Sequence, residues 1–289
     1  MRLDRVLLIQ ENSRQKQHAE FRECHCLKRA FEFHGVPCDI WGRGHEGYSE
    51  LPNWRDYDLI INLEQRAHRY GDWIPDLSQA KTIKFLWAID AHSLGTWRFD
   101  DEFERGRYHL LLHSTKRLVM QRPHRHWFPN SWDDDLIAPR IVPERAQVGF
   151  VGDVSNRKDW IELLKAQEFT FQHDYMVHGQ EMVDCLNSYG MCWNRNFSFD
   201  LNYRNFEVLG AGGVLLTNEV EGYKELGFED GVNYLSYRNA KEMLNKISAW
   251  LSESAERQQQ LRENALLLAS QHTYKKRLER LLEEVSWKF

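Results

Sequence analysis

Short apolar runs recur along the chain, each closed by polar or turn residues and most followed by helical spacing. Residues 5–10 form the first run, a buried strand. Residues 15–34 then place Phe21, Cys24, Leu27, Lys28 and Phe31 near one face of a helix. Gly35 and Pro37 end it, since glycine takes the left-handed cap and proline cannot continue the turn. Strands follow at 38–41, 57–63, 82–89 and 108–112, the run at 57–63 continuous and apolar and so predicted to be buried on both faces. A helix is predicted to begin near Ser114. Strands alternating with helices predict a parallel doubly wound sheet. In such sheets the ligand crevice lies beyond the carboxyl ends of the strands. Glu11, Asn12, Glu64, Asp90, His92, His113 and Ser114 all fall at or just past those ends.

Residues 128–143 break the rhythm with three prolines, three consecutive aspartates and no period, as a linker would. The alternation restarts with a strand at 147–151, a Gly152-Asp153 turn, a helix at 157–166, a strand at 170–177 and a helix at 181–187. A helical pattern at 203–209 stops at Gly210. Gly212-Gly213 turn into a buried strand at 214–217, followed by a helical turn at 222–226. A strand at 233–237 precedes an amphipathic helix at 240–252, with Met243, Leu244, Ile247, Trp250 and Leu251 on its apolar face. Two more helices, 255–270 and 274–287, close the chain. The division this predicts is an N-terminal Rossmann-like domain at 1–130, a linker at 131–146, a second Rossmann-like domain at 147–270, and a C-terminal helix at 271–289 packing back toward the first domain.

A length of 289 residues suits two ordinary domains, and 42% hydrophobic residues suffice for two cores. A net charge of −5 exerts no general pull toward nucleic acid or acidic membranes. Five irregularly spaced cysteines do not make a disulfide framework, so a reducing cytoplasm is the expected compartment. The first apolar run is too short for a signal peptide or a membrane span. Eleven tryptophans exceed what composition alone explains. They serve either as packing or as platforms for a sugar or a base.

Chemistry concentrates in residues 200–228. A helix start beside a strand end is an anion site, because unpaired N–H groups and the helix dipole both face the ligand. That start carries Arg204 and, a turn on, Glu207. A cation suits a phosphate, and a carboxylate can accept from the two hydroxyls of a ribose. Arg157 and Lys158 open the first helix of the second half, where the dipole disfavours cations unless an anion is bound. The structural readings of these residues are a surface pair at a helix start and a carboxylate that stabilises its own helix.

The same residues carry a resemblance. Arg204, Phe206, Glu207, Gly212, Gly213, Glu219, Glu225, Phe228 and Gly231, followed by His272-Thr273-Tyr274 and Arg277, resemble the donor-binding half of GT-B glycosyltransferases over roughly residues 148–282. The nearest branch is the CgeB-like one, related to glycosyltransferase group 1. The resemblance implies a GT-B fold, α/β with two Rossmann-like doubly wound domains and a closing C-terminal helical tail. It also implies a nucleotide-diphospho sugar donor, UDP-sugar foremost, with no metal required. Arg157 and Lys158 resemble the G-x-x-x-x-R feature that holds the diphosphate. Glu207 resembles the second glutamate of an E-x7-E pattern. The first falls at Phe199 and is absent, with Asp200 one place later. Asn218 and Glu219 would lie near the transferred sugar. Asp90 and His92, similar to a D-x-H of the branch, would bind the acceptor or take its proton. The acceptor, a glycan, protein, small molecule or modified DNA base, would sit mainly on the N-terminal domain. A group 1 relationship implies retention, through front-face displacement assisted by the leaving phosphate.

Three further patterns have competing readings. Asp133-Asp134-Asp135 looks like a metal motif but sits in the linker, away from any strand end. In Cys24-His25-Cys26, residues two apart on a helix point nearly opposite ways, so the two thiolates cannot share an ion. Lys116, Arg117, Arg122 and Arg125, interleaved with His124, His126 and Trp127, form either a groove for a phosphate backbone or a solvated face. The first option admits a phage-type DNA glycosyltransferase acting on a hydroxymethylated base. The missing first glutamate admits a non-catalytic nucleotide-sugar-binding protein.

Overall fold

The computed structural model describes residues 3–12, 14–63, 73–119 and 123–285. The chain forms two compact units, Met1–Asn130 with Tyr274–Phe289, and Ser131–Thr273.

In the first unit, β1 (Val6–Ile9), β2 (Cys38–Trp41), β3 (Leu59–Asn62), β4 (Ile83–Ala88), β5 (Leu110–His113) and β6 (Arg125–Trp127) pair in parallel in the order β2-β1-β3-β4-β5-β6. Leu7, Ile9, Ile60, Leu86, Ala88 and Leu111 meet Trp41, Phe99, Phe103 and Tyr108 in one core. β1, β3 and β5 are buried along their whole length, as expected of strands covered on both faces. α1 (Glu23–Phe33) is shorter than the spacing predicts. Residues Lys16–Phe21 form a 3₁₀ segment, and extended Arg22 separates the two. A tertiary contact decides this break. The Gln10 side chain, at the end of β1, accepts the Cys24 N–H at 2.9 Å and donates to Glu23 at 2.7 Å. It thereby caps α1 from outside the helix, supplying a partner that the local sequence lacks. Two helices after β4, α2 (Ala91–Leu94) and α3 (Thr96–Gly106), had no clear signal, because charged residues surround Phe99 and Phe103. The expected helix near Ser114 is a 3₁₀ turn, Lys116–Leu118. α9 (Tyr274–Val285) packs on α1, where Lys275 O meets His34 Nε2 at 3.0 Å.

In the second unit, β7 (Ala146–Val151), β8 (Phe171–Asp174), β9 (Tyr189–Trp193), β10 (Leu215–Asn218) and β11 (Leu235–Tyr237) pair in parallel in the order β11-β10-β9-β7-β8. The helices are α4 (Lys158–Lys165), α5 (Gly179–Asn187), α6 (Tyr203–Gly210), α7 (Ala240–Leu251) and α8 (Ala255–Ala269). β9 escaped the sequence reading. It follows α5 after a single residue and reads Tyr-Gly-Met-Cys-Trp, with no alternation and no β-branched residue. Its place between β7 and β10 makes it a strand, since both edges are paired. Val148, Phe150, Met191, Trp193, Val214 and Leu216 form the core with Ile161, Leu164, Met243, Ile247 and Trp250.

Residues 131–143 pack on the second unit. Trp132 is buried, donates Nε1–H to Ala269 O at 2.8 Å and lies against Gly210, where an added Cβ would meet its ring at 2.4 Å. Trp41, Trp87, Trp132, Trp193 and Trp250 are all buried, so packing explains much of the tryptophan excess. All five cysteines are buried thiols. Among the described residues no helix is long and apolar enough to cross a membrane.

Gly149 lies under the Tyr189 ring, and an added Cβ would meet that ring at 2.2 Å. The Tyr189 hydroxyl is bound to Asp174, so the ring cannot swing aside without breaking that bond. Gly149→Ala is expected to lower stability by about 1–3 kcal/mol through overpacking, read as a lower midpoint in urea.

Candidate functional site

Chain connections leave β7 in opposite directions. β8 lies on one side of it and β9 on the other. Beyond the carboxyl ends of such a strand pair the loops diverge and leave room for a ligand. β7 ends in Gly152-Asp153 and feeds α4. β9 ends in Asn194, Arg195 and Asn196 and feeds α6. Two helix N-termini therefore start from neighbouring strands.

Arg157 stands at the N-cap of α4. Its Nη2 donates to Arg195 O at 2.7 Å and its Nη1 to Asp153 O at 3.2 Å, while the guanidinium lies 5.3 Å from the Phe150 ring centre. Nε is buried with no hydrogen-bond partner. Burial pushes the Arg157 pKa down. Tyr237 and Asp153 oppose the shift, and the positive charges of Arg195 and Arg204 reinforce it. Arg195 and Arg204 are thus both close enough to repel Arg157. Arg195 stacks 4.8 Å over the Trp160 ring. Lys158 is exposed on the first turn of α4.

Arg204 Nη1 and Glu207 Oε2 are 3.0 Å apart on the first turns of α6, both side chains largely buried. The contact is an ion pair whose direction does not make a hydrogen bond, so the buried Nη1–H keeps donor capacity. In the loop before α6, Phe199 takes a left-handed φ of 68° and is exposed, a backbone state that costs a bulky residue energy.

Behind this face lies a buried amide network. Asn205 Nδ2 donates to Asn196 Oδ1 and to Asn202 O, both at 2.8 Å, and its Oδ1 accepts from the Tyr223 hydroxyl at 2.7 Å. Asn196 Nδ2 donates to Asn218 O at 2.8 Å and to the Tyr223 hydroxyl at 2.7 Å. Asn218 Oδ1 accepts the Asn196 backbone N–H at 2.7 Å. Tyr237 donates its hydroxyl to Asn194 O at 2.8 Å. Asn218 is therefore a clip that holds the end of β9. Glu219 accepts from the Tyr234 hydroxyl at 2.8 Å. Glu225 is exposed on the 3₁₀ turn Lys224–Leu226.

Arg157, Arg204 and Glu207 thus gather beyond the carboxyl ends of β7 and β9, with Arg195 added. Asn194, Arg195 and Asn196 were missed in the sequence because the strand they follow was not recognised, and Asn205, on α6, because its partner Asn196 was. Asp90 and His92 belong to the first unit, just past β4. Asp90 is the N-cap of α2, and its side chain makes no capping bond. Burial raises its pKa, with Glu23 adding to the shift and Arg22 opposing it. Burial lowers the pKa of His92, which keeps its imidazole neutral near pH 7. Glu11 is paired with Arg43. Glu64 and Arg122 lie outside the described residues. Arg125 is largely buried, bound to Asp100 at 2.7 Å and stacked on Phe103. Lys116 lies over the Trp127 ring. In the aspartate run, the buried Asp133 accepts the Asp135 N–H at 2.9 Å and shapes a turn.

The sequence profile of the glycosyl transferase-like family matches residues 134–283, more than half of the chain. No curated protein matches it by sequence. In structure it is similar to sucrose-phosphate synthase from Thermosynechococcus elongatus, with a TM-score of 0.66 and 12% identity over 99% of this chain and 100% of that one. HepE from Anabaena, in complex with UDP and glucose, gives 0.63 and 14% over 98% and 99%. A DNA-modifying β-glucosyltransferase, solved with and without uridine diphosphoglucose, gives 0.68 and 11% over 98% and 99%. At such identities the likeness carries the fold, which is GT-B. The chain belongs to the glycosyl transferase-like family. It is accordingly a sugar-transferring enzyme.

Asn205→Leu removes the acceptor of the Tyr223 hydroxyl and the donor to Asn196 at once. Each polar group left buried without a partner costs about 1–3 kcal/mol. A urea midpoint well below that of the parent, with the helical circular dichroism retained, is the expected outcome.

Proposed function

We propose that the chain moves a sugar from a UDP-sugar to an acceptor hydroxyl, with retention and without a metal at the diphosphate, as a member of the CgeB-like branch. The observation that carries the reading is the half-buried Arg157 guanidinium, its Nε shut off from solvent and without a partner, beside the charges of Arg195 and Arg204. Burial and like charges both oppose its ionised form, and a bound polyanion relieves both. Arg157, Lys158 and Arg204 would hold the diphosphate, joined by the N–H groups opening α4 and α6. A diphosphate that draws Arg204 away leaves Glu207 to accept from the ribose hydroxyls. Asn218 ends β10 and Glu219 follows it, and both would lie near the transferred sugar. UDP complexes among the structural neighbours agree with the choice of base.

In the displacement, the bond from the sugar carbon to the diphosphate oxygen breaks as the acceptor oxygen bonds on the same face. The diphosphate leaves with its charge balanced by the cations. Asp90 and His92 are assigned to the acceptor: His92 hydrogen-bonds its hydroxyl and Asp90 takes its proton. The segment 116–127 gives a DNA acceptor little support, because Arg125 is engaged by Asp100 and Phe103.

Arg157→Ala and Glu207→Ala are each expected to weaken UDP binding about 10- to 100-fold, the worth of a hydrogen bond to a charged group. Calorimetry checks this, and unchanged affinity in both variants refutes the donor site. A base must be deprotonated to act, so a raised Asp90 pKa shifts the acid limb of kcat/KM for the acceptor upward. Asp90→Asn should lower kcat and abolish that limb while leaving UDP affinity intact.

A further inference from the structure

The first unit holds a cluster that the sugar-transfer reading does not use. Cys24 and His25 open α1, and His45 lies in the loop after β2. One ligand atom from each, a sulfur and two imidazole nitrogens, lie within 4.8 Å of one another. Nε2 of His25 and Nε2 of His45 are both buried with no hydrogen-bond partner. The two rings are 5.4 Å apart and tilted by 42°, so neither nitrogen is served by the other. A buried polar atom without a partner costs free energy, and two such imidazoles beside one thiol call for a shared partner. Cys24 is fully buried on the first turn of α1, and burial pushes its thiol up to about 12, so the proton leaves only as a cation binds.

The supporting contacts fit as well. The His45 ring hydrogen-bonds the backbone of Gln10, the kind of bond that fixes the tautomer and orientation of a metal-binding histidine. Its loop can approach β1 because residue 42 is glycine: a Cβ there would meet Gln10 O at 2.1 Å. Gln10 also accepts the Cys24 N–H, so one residue positions both sides of the cluster. Cys26, the other thiol of the Cys-His-Cys motif, turns away toward Phe21 O and Glu20 O. His45, distant in sequence, stands where a second thiolate cannot. We propose that Cys24, His25 and His45 bind a borderline-soft divalent cation, zinc foremost, as three protein ligands with a fourth position for water. Bond lengths of about 2.0–2.3 Å place tetrahedral zinc ligand atoms about 3.3–3.6 Å apart, within the 4.8 Å that already spans these atoms. One thiolate and two neutral imidazoles leave a single positive charge, beside the Arg22–Glu23 pair.

The test is a cobalt titration of the full-length protein after chelation and dialysis, followed by zinc. The expected result is a saturable spectrum at one cobalt per chain, with visible bands of tetrahedral intensity and a near-ultraviolet thiolate charge-transfer band, erased by zinc. Cys24→Ser should lose the charge-transfer band, and His45→Gln should weaken zinc binding at least about tenfold, with circular dichroism confirming that each variant is folded. No saturable spectrum in the parent protein overturns the proposal, as does a charge-transfer band surviving Cys24→Ser or parental zinc affinity in His45→Gln. Should a variant fail to fold, the parent decides: zinc must raise its melting temperature at micromolar concentration, and a chelator must reverse the shift. UDP affinity is independent of these readouts, so failure of the donor site and failure of the metal site are separable.

Discussion

The end of β9 runs out of ladder partners before the chain reaches α6, and the second unit depends on how that shortfall is met. The backbone N–H of Asn196 is satisfied by a side chain, Asn218 Oδ1, from the neighbouring strand. Asn196, Asn205 and Tyr223 then satisfy one another in a space closed to water. A network of this kind is stabilising when complete and costly when broken, because the low local dielectric magnifies both outcomes. It fixes where α6 begins, and hence where Arg204 and Glu207 stand. The cationic edge inherits its geometry from neutral amides.

The first unit solves the same problem with one side chain. Gln10 accepts from the start of α1 and donates to Glu23, while its carbonyl lies under the glycine at position 42. The strand end, the helix start and the loop after β2 are locked together there. A substitution at Gln10 therefore acts on α1 and on the position of His45 together.

Net charge says little about where charge is available. The chain carries −5 overall, yet Arg157 is held within reach of the fields of Arg195 and Arg204. Arg125, in the most basic stretch of the sequence, is paired with Asp100 and stacked on Phe103. An exposed cation run is screened by salt and solvated, and its pairings are worth little. A buried, crowded guanidinium is expensive until an anion arrives, and that expense is what makes it selective for one.

The sequence by itself determined the parallel α/β architecture, because strands buried on both faces must be apolar throughout and helices must show a period of 3.6. It placed Arg157, Lys158, Arg204 and Glu207 at helix starts for a similar local reason: capping and dipole effects act within a turn. It could not place β9, since Tyr-Gly-Met-Cys-Trp has no strand pattern of its own and becomes a strand by lying between β7 and β10. With β9 went Arg195 and the asparagines that follow it. The break between Phe21 and Glu23 was equally hidden, because the cap of α1 comes from Gln10, more than ten residues upstream. His45 joined Cys24 and His25 only through the crossover of β2 beside β1. Local propensity sets the elements, whereas convergence of side chains from separate loops is decided by which strands pair, and that is a property of the whole sheet.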